Sequence, residues 1–302
     1  MALEYNKALY SYESSGSVSD MVLDKESLYV ATNSGCVDIF SIRSKHMLNQ
    51  ICVEKIKDFM AKQSNSKVYS IDVIGAKIAI LSQATKGFSR VHTYVDEKLQ
   101  LLISNADELC IIKLRFLNAN TLLLGLLGSE IISYDIAKKK INYRAKVSLS
   151  KFSDFALSED KKRVVVADES GDLKILSTKD GTLEETLSGK NLDNVFQVDY
   201  KNGIIATAGK DRRVVVYDIN NFSAYYKSAP FFIYSVGLSP SGNRVAYASD
   251  ENNNVTLFES KSKKVLAKFG GNKMTLTKIL FLNEDEFFVS SDDKVINFYR
   301  LK

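Results

Sequence analysis

One pattern recurs along this 302-residue chain and constrains its fold more than any single motif: an alternating strand, a short turn, a strand of small and β-branched residues, a polar turn, and a strand ending in an aromatic. It is plainest where residues 233–238 alternate, Ser239-Pro240-Ser241-Gly242-Asn243 turns, residues 244–248 run apolar, and Asp250-Glu251-Asn252-Asn253 turns again before residues 254–258. The last apolar residue of the first strand falls at Leu23, Val73, Phe116, Leu157, Tyr200, Leu238 and Phe281, a mean spacing of 43 residues. The closing position of the third strand gives a second ruler: Phe40, Tyr94, Tyr134, Leu176, Tyr217, Phe258 and Tyr299. A period of ~40–45 residues is that of a four-stranded propeller blade. Two rulers agree on seven units, so the expected fold class is all-β, a seven-bladed β-propeller forming one domain over residues 1–302.

The last unit stops at Leu301-Lys302, straight after its third strand, while residues 7–13 alternate like a strand ahead of the first unit. The N-terminal segment 1–13 is therefore expected to pair as the outer strand of the last blade, which removes exposed strand edges. Between units one and two the repeat expands over residues 53–67, where apolar Val53, Ile56, Phe59 and Met60 have helical spacing and predict a helical turn. The units resemble degenerate WD40 repeats. The third-strand aromatics fill the family's Trp position, and Asp135 and Asp218 keep the Asp that follows it. No Gly-His dipeptide occurs, so the hydrogen-bond network that the resemblance implies is expected to be weakened or replaced.

Lys+Arg 41 against Asp+Glu 36 gives a net charge of +5 with both signs interspersed, which by itself does not argue for nucleic acid. The two histidines, His46 and His92, exclude a three-His zinc site, and alternation predicts that both face outward. Cys36, Cys52 and Cys110 contain no CxxC pair and read as thiols packed as small apolar groups, with one Cys36–Cys52 bridge left open. No GxSxG, HExxH, Walker loop or GxGxxG appears. The acidic pairs Asp168-Glu169, Asp250-Glu251 and Asp292-Asp293 recur at one point of the repeat, which marks them as turn residues rather than metal ligands. Lys138-Lys139-Lys140 with Arg144 and Lys146 reads as a solvated outer strand. No cofactor, metal or catalytic residue is expected.

The loops leading into the first strands share a face with the turns between second and third strands. In units four to seven that face collects Asn191, Asp193, Lys210, Arg212, Arg213, Phe231, Phe232, Lys273 and Met274, a mixture of aromatic and basic side chains that suits a protein partner. The stretches 194–200, 204–213 and 248–255, with Lys273-Met274-Thr275-Leu276, also resemble the NapL accessory proteins of epsilonproteobacterial periplasmic nitrate reductase systems. That resemblance implies a non-catalytic maturation factor whose partner is the molybdenum-containing reductase or its precursor. The expectation is a monomeric protein-interaction scaffold, with no nucleic-acid or membrane partner. It is cytoplasmic as the sequence begins, or periplasmic if a signal peptide has been trimmed. The rival readings are a scaffold of another assembly and a propeller hydrolase such as a lactonase.

Overall fold

The computed structural model describes residues 4–57 and 62–302. Seven antiparallel sheets follow one another along the chain, each ordered from an inner strand through second and third strands to an outer one. The fold is a seven-bladed β-propeller. Both rulers meet in a single row across every blade. Leu28, Ile78, Leu122, Val164, Ile205, Val245 and Phe287 on the second strands each pair with the first-strand ruler residue on one side and the third-strand one on the other. Alternation places this row on one face, so the repeat preserves a packing layer rather than a chemical group.

Second strands are covered on both faces and read as unbroken runs of small and branched residues, such as Ile204–Gly209, which is buried throughout. Outer strands are wet: Leu183–Leu187 carries two glutamates, and Lys140–Lys146 is largely exposed. Arg144 reaches Glu130 at 3.2 Å there, and Lys138 reaches Asp135 at 3.8 Å. This is a charged edge of the kind that resists further strand pairing.

The described residues divide into two compact units. Tyr12–Ser148 holds blades 1 to 3, whose apolar cores lie between successive sheets: Val37, Ile51 and Ile80 between blades 1 and 2, and Leu81, Leu114 and Leu124 between blades 2 and 3. Inner-strand carboxylates tie these blades together. Asp20 Oδ2 accepts from the Ile71 N–H at 3.3 Å, and Asp72 Oδ2 from the Phe116 N–H at 2.6 Å. Arg115 closes the first bracket with an ion pair to Asp20 at 2.9 Å, both side chains largely buried.

Leu149–Lys302, joined by the N-terminal strand residues, holds blades 4 to 7. The bracket repeats there: Asp154 Oδ2 accepts from the Val198 N–H at 3.0 Å, and Asp199 Oδ2 from the Leu238 N–H at 2.8 Å. Gly237 is required between blades 6 and 7, because a Cβ there would lie 2.7 Å from the Ile279 carbonyl oxygen. The N-terminal segment joins the last blade over only part of its expected length, and residues 1–3 lie outside the described residues. Tyr10–Glu13 is the fourth strand of blade 7, with Tyr10 stacked on Phe298 at 4.6 Å. Tyr5–Asn6 adds a fifth, parallel strand to blade 6.

Three expectations need correction. Ile56–Lys57 and Gln63–Ser64 pair as two short antiparallel strands, so Ile56 lies in a strand where a helical turn was expected, while residues 58–61, Phe59 and Met60 among them, lie outside the described residues. Helical spacing over one turn fixes too many dihedrals for the few bonds it gains. His92 does not face outward: it is buried in the third strand Ser89–Val95, a strand flanked on both edges and packed on both faces, whereas His46 is exposed in a turn. Cys36 and Cys52 face each other across the third and outer strands of blade 1 and form a disulfide spanning 16 residues, leaving Cys110 as a free thiol.

Candidate partner-binding face

The site is built from three segments of blades 4 to 6 that lock onto one another. Residues 188–194 lead from the outer strand Leu183–Leu187 into the inner strand Val195–Lys201. The Leu192 N–H donates to Asp211 Oδ2 at 2.8 Å, and the Lys210 N–H to the Asn194 carbonyl at 2.9 Å. The turn before the third strand Arg213–Asp218 holds Arg212 in the left-handed region at φ 62°. It in turn anchors the loop into blade 6: the Ala229 N–H donates to the Arg212 carbonyl at 2.8 Å, and the Ile233 N–H to the Gly209 carbonyl at 3.2 Å. Such fixing of loop backbone lowers the entropy lost on binding.

Above this frame stands an aromatic cluster. Phe196 stacks on Tyr234 at 5.1 Å, Phe231 and Phe232 lie 5.4 Å apart, and each of these two packs within 6.5 Å of Tyr234 at 6.4 and 6.3 Å. Phe231 is exposed and the other three are half-buried. The Arg212 guanidinium lies 5.8 Å from the Phe232 ring centre, within cation–π range. Phe196 reaches the cluster through a β-bulge. Inner strands of blades 1, 2, 3, 4, 5 and 7 each skip one residue near their start, at Ser19, Tyr69, Ile112, Ser153, Phe196 and Thr277. A bulge re-aims the skipped side chain; it is aromatic in blades 2 and 5, and in blade 5 it stacks on Tyr234.

The other expected residues divide. Lys210 and Asp193 form an exposed ion pair at 3.4 Å, and the Asn194 N–H, with Lys210 beside it, holds the Asp193 carboxyl below its ordinary range. Arg213 turns inward: its guanidinium covers the Tyr226 ring at 4.0 Å and donates to the Lys190 carbonyl at 3.0 Å. Lys273 and Met274 stand exposed on the loop into blade 7.

Asn191 is the exception, since it is buried at 4% exposure. Its Oδ1 accepts from Thr207 Oγ1 at 2.7 Å, and its Nδ2 donates to the Tyr217 hydroxyl at 3.2 Å. Burial pushes that phenol up to about 12. Blade 7 repeats the idea with other residues: Asn272 Oδ1 accepts from Asn297 Nδ2 at 2.8 Å and from the Tyr299 hydroxyl at 3.3 Å. In each case an asparagine of the loop leading into the blade is bonded to the third strand of that blade. Phe196 and Tyr234 are the site residues that the loop reading missed. Their signal is an aromatic at the second position of an inner strand or at the end of the loop before one.

The acidic turn residues serve the local backbone. Asp168 Oδ1 accepts from the Ser170 N–H at 2.8 Å, and Asp250 Oδ1 from the Asn252 N–H at 3.0 Å. Among the described residues no three His, Cys, Asp or Glu side chains converge as a metal centre requires. No protein-family model matches the chain, and no curated protein matches it.

Proposed function

We propose that this chain is a non-catalytic scaffold that binds a protein through the loop face of blades 5 and 6. The observation that carries the reading is the partly exposed cluster of Phe196, Phe231, Phe232 and Tyr234 with Arg212 over it. Aromatic and Arg side chains on rigid backbone are the composition of interface hot spots. The specific partner proposed is a molybdenum-containing periplasmic nitrate reductase or its precursor, a reading that rests on the resemblance of the stretches 194–200, 204–213, 248–255 and 273–276 to NapL proteins. The Cys36–Cys52 disulfide supports the periplasmic alternative over the cytoplasmic one, because such bonds persist in oxidising compartments.

Surface plasmon resonance against purified reductase, as leader-bearing precursor and as mature enzyme, tests this. Capture of either form, weakened at least tenfold by Arg212→Glu with Tm unchanged, is the expected result. Capture of neither form removes the reductase as partner. Capture that survives both Arg212→Glu and Phe231→Ser removes this face.

A further inference from the structure

Each of the four loops leading into blades 4, 5, 6 and 7 holds up one large apolar side chain. Leu149 is 97% exposed, Leu192 65%, Met274 49% and Phe231 36%. Burying none of these is unfavourable in water, and four recurrences at one structural position amount to a surface rather than scattered exposure. The inner strands they lead into run side by side, joined by the brackets from Asp154 to Val198 and from Asp199 to Leu238 and, for blade 7, by the close approach of Gly237 to Ile279, so the four tips rise from the same end of their sheets. A cation lies near each tip, in sequence for three of them: Lys151 follows Leu149 by two residues, Lys190 precedes Leu192 by two and Lys273 adjoins Met274, while Arg212 covers the ring next to Phe231. The acid Asp193 beside Leu192 is paired with Lys210.

We infer that this arc receives an extended protein segment in which apolar side chains alternate with carboxylates. The inference rests on the protein-binding reading above and names the chemistry of the partner. Apolar tips take the partner's apolar residues, while the cation beside each tip takes a carboxylate, which steers association and sets register. The turns between second and third strands at the same end carry exposed Glu169, Glu251 and Asp292. Those acids repel a uniformly anionic bilayer. A protein segment avoids them, because it places its carboxylates only against the cations.

The test selects displayed random 16-residue peptides on the intact protein and measures the enriched peptides by fluorescence anisotropy. Enriched sequences are expected to carry Asp or Glu between apolar residues. Their affinity should fall at least tenfold in a Leu149→Ser, Leu192→Ser, Met274→Ser variant that keeps the parental Tm, and should weaken steeply with salt. Failure to enrich any peptide, enrichment of sequences without carboxylates, or equal binding by the triple variant overturns the inference. Sedimentation with vesicles containing phosphatidylserine, at a strength matching the peptides, overturns it in favour of a membrane. If the reductase is captured in an Arg212-dependent manner but the triple variant captures it equally well, the arc fails while the proposed function stands.

Discussion

Thr207 donates its hydroxyl to the Asn191 side-chain oxygen over 2.7 Å, and both residues are buried within blade 5. With the Tyr217 hydroxyl accepting from the same carboxamide, the loop into the blade is bolted to its second and third strands. Asn191→Ala strands two buried hydroxyls, each costing ~1–3 kcal/mol. The expected loss is about 2–4 kcal/mol in urea denaturation. Asp193→Ala, two residues away on the surface, should change stability by less than about 0.5 kcal/mol. Equal effects at the two positions would contradict the division of this loop into a buried anchor and an exposed neighbour.

The carboxylate brackets make a second prediction. Asp154 is buried and accepts the Val198 N–H of the next blade. Asp154→Ala leaves that backbone donor without its charged acceptor, and hydrogen bonds to charged groups contribute ~1.5–3 kcal/mol. Asp154→Asn keeps an oxygen acceptor, so it should recover part of the loss. Native-state hydrogen exchange checks the mechanism: protection at the Val198 amide should fall in the alanine variant and be partly restored in the asparagine one.

Much of this architecture was legible because β-propeller blades repeat their packing layer at a fixed period. Leu23, Phe40 and their counterparts mark that layer without regard to chemistry, which is why Leu176 serves in blade 4 as an aromatic does elsewhere. The pairing of Tyr10–Glu13, the later part of the expected strand 7–13, was legible for the same reason, as a unit short of one strand. What the sequence hid depends on where one residue shifts register. Phe196 meets Tyr234 at a bulge, and the alternation of one strand taken alone does not mark a bulge, which shows only as a recurrence at the second position of the inner strands. Asn191 sits in a polar loop that looks exposed, yet its partners lie across the blade. Cys52 belongs to an outer strand, Met47–Cys52, which is almost wholly exposed and whose register no hydrophobic pattern fixes, so its alignment with Cys36 could not be derived.

His92 ties stability to pH. Burial, and secondarily the charge of Arg90, lowers its pKa from 6.5 to about 4, while the Glu54 carboxylate pulls the other way. The unfolded chain therefore binds a proton between pH 6.5 and 4 that the folded protein refuses. Stability from this residue is complete above the unfolded value, declines as pH falls through that window, and is level below it. Its size is at most about 3.5 kcal/mol, from roughly 1.4 kcal/mol per unit of difference. His92→Phe should flatten the dependence of the urea midpoint on pH between 6.5 and 4. An unaltered slope in that variant would mean that other groups carry it.

The N-terminal strand predicts a stability effect without any chemistry. Tyr10 stacks on Phe298, the Leu9 N–H donates to the Phe298 carbonyl at 2.9 Å, and Ser11 donates to Asn297 Oδ1 at 2.7 Å. Deleting residues 1–13 exposes the edge of Val295–Arg300 and unburies its aromatic face. Tm should fall by on the order of 10 °C, and a tendency to associate through the uncovered edge should appear in light scattering. A truncated protein that melts with the parent would show that blade 7 holds without its fourth strand.

The disulfide can be read out separately from every partner question. Cys36 lies in a third strand and Cys52 in the outer strand beside it, so the bond staples the edge of blade 1 at the point where the chain departs into the expanded connection. Closing a loop of this length restricts the unfolded chain by an amount worth about 3 kcal/mol in the chain-entropy account. Thiol titration of unfolded, unreduced protein should find one group, from Cys110, and three after reduction. Cys36→Ser with Cys52→Ser should lower stability by about that amount under non-reducing conditions, and reductant should have no further effect on the variant. Three titratable thiols in protein taken directly from cells would mean that the bond does not form where the chain resides, which would return the localisation to a reducing compartment.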